Sequence, residues 1–291
     1  MADSAPAAEG RAVAAADGGV VRIIEAFMAA RADGRAALMP YLMAGFPNVE
    51  DSKAIARAYV DSGADLIELG VPFSDPLADG PVIHAAATAA LEAGTTLDSA
   101  LEVCREVADR LPVVPMVYSN MILAGGGPAE FADKLVEAGA AGAIVPDLPL
   151  EEAEPIRAAL RERFLALVPL VAPTTPPERR RAIAEQASGF VYVVSTMGVT
   201  GERKSLPPEL TDLVATVKEA GDVWAAVGFG IATAEQAAAV AGLADGVIIG
   251  SRLVREVQEA EDLDAAVSAV GSFLTEVRSA LETGGGEPGE A

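Results

Sequence analysis

The segment Ser62-Gly-Ala-Asp-Leu-Ile-Glu-Leu69 decides the fold, because its pattern returns along the chain. It is echoed by AGAAGAIV at 138–145 and by LADGVIIG at 243–250. In each, a Gly or Asp opens a short run of apolar residues and a loop closes it. Similar runs occur at Ala37–Ala44, Asp65–Val71, Val113–Tyr118, Gly142–Pro146, Leu165–Leu170, Phe190–Ser195, Val223–Val227 and Asp245–Ile249. Their length and β-branched content suit parallel strands buried on both faces. Between them lie Ala- and Glu-rich stretches with a 3.6-residue period, such as Pro128–Ala138 and Pro207–Glu219, and Val20–Arg35 reads as a lead-in helix. Thr233 and Thr175 stand where helix start signals are expected. Eight strand–helix units predict a single-domain α/β protein, a (β/α)8 TIM barrel over 20–283. The rival, an open doubly wound sheet, usually carries a glycine-rich turn after its first strand. Here that turn is AGFPN (44–48), and the glycine-rich turns come late.

Composition narrows the chemistry. The 291 residues include 21 Lys and Arg against 43 Asp and Glu, a net charge of −22. Such a surface repels nucleic-acid backbones and anionic membranes. An anionic substrate therefore has to be held by local devices such as backbone amides. The 51% hydrophobic content supports a large core. Residues 1–19 are Ala/Gly-rich without an apolar export core, and they read with 284–291 as disordered tails. A reducing cytoplasm is the expected compartment. Cys104 and His84 each stand alone, so neither a disulfide framework nor a His or Cys metal cluster is expected. Lys53, Lys134 and Lys218 fall on predicted helices and Lys204 in a loop, which leaves no strand-end lysine for a Schiff base. A carbon–carbon lyase on this scaffold thus needs a substrate that supplies its own electron sink. His84 reads as capping or packing on the helix after the second loop, Cys104 and Trp224 as packing residues, and Arg179–Arg181 as a solvated helix face.

Active sites of such barrels lie where the strands end. Leu66, Glu68 and Gly70 share one face of the second run, with Ile67 and Leu69 on the other. Glu68 is a carboxylate in an apolar strand, and no predicted strand holds an Arg or Lys to pair with it. Burial without a partner raises its pKa and suits it to acid–base work near neutral pH. Asp75 and Asp79 lie in the following loop, stiffened by Pro72, Pro76 and Pro81. Their spacing fits turn-forming and functional aspartates equally. Three late glycine clusters form a second candidate site: Gly198–Gly201, Gly228–Gly230 and Gly250 with Ser251. Loops after the last strands, with a helix N-terminus, form the usual phosphate site of this fold.

The stretch IELGVPFSDPLADGP (67–81) closely resembles the signature of the tryptophan synthase alpha chain family. MPYLMAGFP (39–47), PDLPLEE (146–152), STMGVTG (195–201), GFGI (228–231) and GSRLV (250–254) also resemble it, in the family's order. The resemblance implies a barrel that cleaves indole-3-glycerol phosphate to indole and glyceraldehyde 3-phosphate. It also implies an α2β2 complex with a beta chain that carries pyridoxal phosphate, this chain holding no cofactor. The family's catalytic carboxylates fall on Glu68 and Asp79, and its phosphate contacts on Gly201, Gly230, Gly250 and Ser251. Its substrate-lining aromatics fall on Tyr192 and Phe229, and its beta-chain contacts on Asp75, Pro76, Asn120 and Pro149. One departure is Thr196-Met197, where many members carry an Arg. The implied chemistry meets the electron-sink requirement: a protonated indole ring accepts the electrons of the breaking bond. Another phosphosugar enzyme would need a second acid or base at a different strand end. A non-catalytic barrel would have no use for both carboxylates.

Overall fold

The computed structural model describes residues 18–77, 79–195, 208–221, 223–228 and 230–284. The predicted tails fall almost wholly outside this set, apart from Gly18 and Gly19 at one end and Gly284 at the other. Nine parallel strands run through the described chain: β1 Ala37–Met43, β2 Ile67–Gly70, β3 Val113–Met116, β4 Gly142–Ile144, β5 Ala166–Val168, β6 Leu170–Val171, β7 Phe190–Val194, β8 Trp224–Gly228 and β9 Gly246–Ile249. They hydrogen-bond in the order β5-β4-β3-β2-β1-β9-β8-β7-β6. The two ends of that list, β5 and β6, are joined covalently through Pro169, so the sheet closes on itself as a barrel. Together they make up the predicted fifth run. Pro169 splits it because it lacks an N–H, although its carbonyl still accepts from Tyr192 N at 2.9 Å.

Strand alternation sorts the side chains into two cores. Leu38, Leu42, Ile67, Leu69, Val113, Val191, Val193, Val227 and Ile249 point outward into the helical shell. Met39, Leu66, Val114, Ile144, Val168, Phe190, Tyr192, Ala226 and Ile248 fill the lumen. Strands apolar on both faces are what a closed parallel sheet covered by helices requires. Glu68 shares the face of Leu66, which sets it in the lumen, in register with Tyr41 of β1 and Val114 of β3.

The base of the barrel is sealed. The N-terminal helix, Gly19–Ala32, contributes Ile23, Phe27 and Ala30 to the lumen core. Phe27 stacks on Trp224 at 5.5 Å and leans on Phe190 at 5.6 Å. A Cβ at Gly246 would meet Phe27 at 2.9 Å and Met39 at 2.8 Å, so the glycine that opens β9 makes room for the plug. The aspartates that open strands have a different task. Asp65 accepts from Leu38 N at 2.7 Å and from Arg35 at 2.6 Å; Asp245 accepts from Ala225 N at 3.0 Å and Lys218 at 2.8 Å. Each ties the start of one strand to its neighbour.

Several local expectations need correction. The lead-in helix is Gly19–Ala32, not Val20–Arg35, and Arg35 is buried in its pair with Asp65. Arg180 does not lie on a solvated face: it is buried, its guanidinium spanning Asp212 at 2.8 Å and the carbonyl of Thr175 at 2.8 Å. Thr175 accepts from Ala172 N, and Pro176 takes the cap position of helix Pro177–Ala184. Thr233 does cap its helix, accepting from Gln236 N. Cys104 is core, and Trp224 packs on the plug. His84 is exposed on helix Pro81–Glu92.

Phe27→Ala should cost about 3–5 kcal/mol, the usual toll for emptying a large aromatic site, read as a lower midpoint in urea unfolding. A loss under about 1 kcal/mol would show that the helix does not seal the lumen.

Candidate active site

Four elements converge on Glu68 above the lumen core. β2 carries Glu68 itself, 1% exposed, and the loop after it carries Phe73 and Asp79. β1 brings Tyr41, the segment just past β3 brings Tyr118, and β7 brings Tyr192, all three buried. Two glycines seat two of these rings. A Cβ at Gly70 would overlap the Tyr41 hydroxyl, and one at Gly228 would overlap the Tyr192 hydroxyl.

Neither carboxyl oxygen of Glu68 has a hydrogen-bond partner among the described residues. Burial chiefly, and the nearby charge of Asp79, push its carboxyl up to about 8. At neutral pH it therefore holds a proton. Burial also raises Asp79, but the Tyr118 hydroxyl, donating to Oδ1 at 3.2 Å, and the field of His84 both favour its charged form. The two carboxyl groups thus sit in unlike surroundings, one dry and unpaired, the other partly wet and hydrogen-bonded. That difference suits one as proton donor and the other as an anion beside developing positive charge. Tyr41 and Tyr192 are pushed well above the usual phenol range, by burial first and by both carboxylates next, so they remain neutral hydroxyls.

The predicted phosphate residues divide. Gly230 follows β8 with φ of +80°, a conformation that favours glycine. Gly250 and Ser251 follow β9, with Gly250 capping helix Ser251–Glu259 through no side-chain hydrogen bond. Its first-turn amides are thus at a neighbouring strand end to Gly230. Gly201 and Phe229 lie outside the described residues. On the rim, Asp75, Asn120 and Pro149 are exposed and Pro76 half-buried. They come from the loops after β2, β3 and β4, which are adjacent in the barrel. Among the described residues, no three His, Cys, Asp or Glu side chains converge as a metal site. A cavity of about 750 Å³ opens elsewhere, beside Val20, Val21 and Phe164 at the strands' N-terminal ends.

Reading the sequence missed Tyr41 and Tyr118. The available signal was strand parity: Tyr41 shares the inward face of Met39 and Met43, and Tyr118 ends the third apolar run. Whether either reaches Glu68 or Asp79 depends on inter-strand register, which local pattern does not contain.

The raised Glu68 pKa makes stability pH-dependent. A carboxyl lifted from its ordinary 4.5 to about 8 binds its proton more tightly in the folded chain. That contribution is fully present below 4.5 and is lost as pH rises through 8. Relative to Glu68→Gln, the wild type should lose stability between pH 5 and 8 at up to about 1.4 kcal/mol per pH unit. Parallel stability curves for the two proteins would contradict the buried, unpaired state.

Comparison with known proteins agrees with this geometry. Residues 27–282 match the family model described as tryptophan synthase alpha chain. The alpha chain of Synechococcus elongatus is 46% identical over 263 residues, 89% of this chain and 97% of that one. That of Methanopyrus kandleri is 43% identical over 252 residues, 86% and 91% of the two chains. Among solved structures, tryptophan synthase from M. tuberculosis superposes with a TM-score of 0.81 at 37% identity, covering 89% of this chain and 99% of that one. The Legionella pneumophila alpha chain gives 0.80 at 36%, covering 90% and 97%. A closed parallel barrel, a buried carboxyl facing its lumen, and relatedness across nearly the whole described chain give one conclusion: the chain belongs to the tryptophan synthase alpha chain family.

Proposed function

We propose that this chain cleaves indole-3-glycerol phosphate with Glu68 as its proton donor and Asp79 as the anion beside the indole nitrogen. The observation that carries the assignment is the Glu68 carboxyl, buried in the lumen with no hydrogen-bond partner among the described residues and pushed up to about 8 by that burial. It gives its proton to indole C3, and the ring becomes an indoleninium. The carboxylate left behind takes the proton of the hydroxyl on the carbon attached to C3. That oxygen becomes the aldehyde of glyceraldehyde 3-phosphate as the carbon–carbon bond breaks. The bond's electron pair returns to the ring, and indole leaves neutral. Asp79 stabilises the positive charge at N1 while it lasts.

The phosphate sits against the amides at Gly230 and at Gly250–Ser251, where the helix start adds its dipole. Gly201 and Phe229 are assigned to the same pocket through the family motifs. Tyr192 lines the indole. The partner is a beta chain carrying pyridoxal phosphate, in an α2β2 assembly, and this chain holds no cofactor of its own. Asp75, Pro76, Asn120 and Pro149 face that partner. Leu77, 85% exposed, and Leu123, 64% exposed, stand on the same rim, apolar side chains suited to a covered surface. No helix among the described residues is long and apolar enough to cross a membrane, and the family's biosynthetic role supports a cytoplasmic location.

Indole release from indole-3-glycerol phosphate tests the assignment. Glu68→Gln should lower kcat by about 10⁴-fold or more, because a residue used twice carries two proton transfers. Asp79→Asn should lower kcat about 10²-fold or more with a smaller change in KM. Wild-type turnover by either variant would remove that residue from its role.

The two glycines should respond differently to alanine. A Cβ at Gly250 would lie 3.5 Å from the Tyr41 side chain, an ordinary contact, and φ there is −114°. Gly250→Ala should therefore fold normally and lose affinity for glycerol phosphate alone. Gly230→Ala should lose affinity and about 1 kcal/mol of stability. Unchanged phosphate affinity in both, by calorimetric titration, would move the phosphate elsewhere.

A further inference from the structure

Tyr118 belongs to none of the motifs discussed above, yet it touches both ends of the loop that carries Asp79. It stands two residues past the end of β3 and is 3% exposed. Its ring stacks on Phe73 near the start of that loop, with centroids 4.9 Å apart and planes at 25°. Its hydroxyl donates to Asp79 Oδ1 at the loop's far end, 3.2 Å away. The backbone beneath the ring is fixed from the next loop along. Ser119 N and Oγ both donate to Asp147, at 2.8 and 2.7 Å, and Tyr118 caps helix Ser119–Ala124.

We infer that Tyr118 is a positioning residue for Asp79: pinned by Asp147 through Ser119 and stacked on Phe73, it fixes the carboxylate's orientation and keeps it charged. The inference rests on the role of Asp79 proposed above. Phe73 and Asp79 lie six positions apart in a loop with no helix or strand among its described residues. A carboxylate on such a loop is held to a productive angle only by contacts from a rigid element. A phenol is well matched to the task. Its flat face grips one end of the loop, and its neutral O–H donates to an anion without cancelling the charge.

Other charged and titratable groups lie near Asp79. Glu68 comes from β2, Tyr41 from β1, Tyr192 from β7 and His84 from helix Pro81–Glu92. Tyr118 is the one of these that hydrogen-bonds to it in the described structure. Burial and the charge on Glu68, once it has given up its proton, push Asp79 toward protonation; the phenol donor opposes them.

Tyr118→Phe keeps the ring over Phe73 and deletes only the hydroxyl. It should lower kcat for indole release about tenfold or more and change KM little. The acidic limb of the kcat profile should move up by roughly one pH unit, because Asp79 loses a donor that favours its charged form. In an Asp79→Asn background the same substitution should cost nothing further, since its effect passes through Asp79. An unmoved acidic limb, or an equal loss in both backgrounds, would overturn the inference. A readout without turnover separates it from the proposed reaction. The carbon-13 titration of the Asp79 carboxyl, assigned by its absence in Asp79→Asn, should shift up in Tyr118→Phe. If the wild-type chain releases no indole, the proposed reaction fails, and this titration alone decides for or against Tyr118. Equal unfolding midpoints of wild type and variant show that the fold is unchanged.

Discussion

A carboxyl group held in a hydrocarbon lumen without a partner is costly, and the barrel is arranged so that Glu68 stays in that state. An Arg or Lys on a neighbouring strand would satisfy it, but would also hold it charged and useless as a proton donor. The strands beside Glu68 instead present Tyr41 and Val114 in register. Water is kept out from below by Phe27, Phe190 and Trp224, and at the sides by closure through Pro169. Tyr41 and Tyr192 add polar groups without adding charge. Their glycine seats, Gly70 and Gly228, let them lie close to the wall and leave space in the lumen.

Polar groups at the two ends of the strands are treated in opposite ways. At the N-terminal end, Asp65, Asp245 and Arg35 are each bonded to a neighbouring strand, its flanking loop or an ion-pair partner. Arg22 reaches the carbonyls of Gly139, Ala108 and Leu111 there. Those bonds, Arg35 Nε being the one buried atom of these groups left without a partner among the described residues, hold the barrel together at that end. At the C-terminal end, Glu68 is unpaired among the described residues and the helix after Gly250 has no side-chain cap from its N-cap residue. Stability is concentrated at one end and unmet bonding capacity at the other, the division expected of this architecture.

The architecture was legible because each strand is buried on both faces, so a continuous apolar run marks it without reference to its neighbours. The eight runs all became strands, their ends moved by no more than two residues, and only Pro169 divided one. Glu68 was legible for the same reason: a single charge in such a run stands out. Features that depend on tertiary neighbours were not. Arg180 sits in a basic cluster that resembles an exposed helix face until Asp212, 32 residues on, is placed beside it. Thr175 has the side chain of a cap but turns to Ala172. Tyr41 and Tyr118 look like ordinary apolar-run aromatics, and only the parallel register brings one to Glu68 and the other to Asp79. Asp79 itself could not be told from Asp75 by spacing. Burial and the Tyr118 bond separate them, since Asp75 is exposed and pairs with its neighbour Ser74.

The net charge of −22 then bears on why the proton sits where it does. A phosphate ester approaching this protein is repelled by its overall field, and two ionised carboxylates inside the pocket would add to that repulsion at short range, where screening is weakest. Keeping Glu68 neutral removes one of them before the substrate arrives. On the proposed mechanism the same proton is then transferred to the indole ring, so the carboxylate charge appears only as the indoleninium forms beside it. The raised pKa of Glu68 thus serves binding and chemistry together: it lowers the electrostatic cost of admitting an anion and delays the second negative charge until a positive one is there to meet it. On that reading, an acidic protein holds an anionic substrate on backbone amides while its own acid stays protonated until the reaction begins.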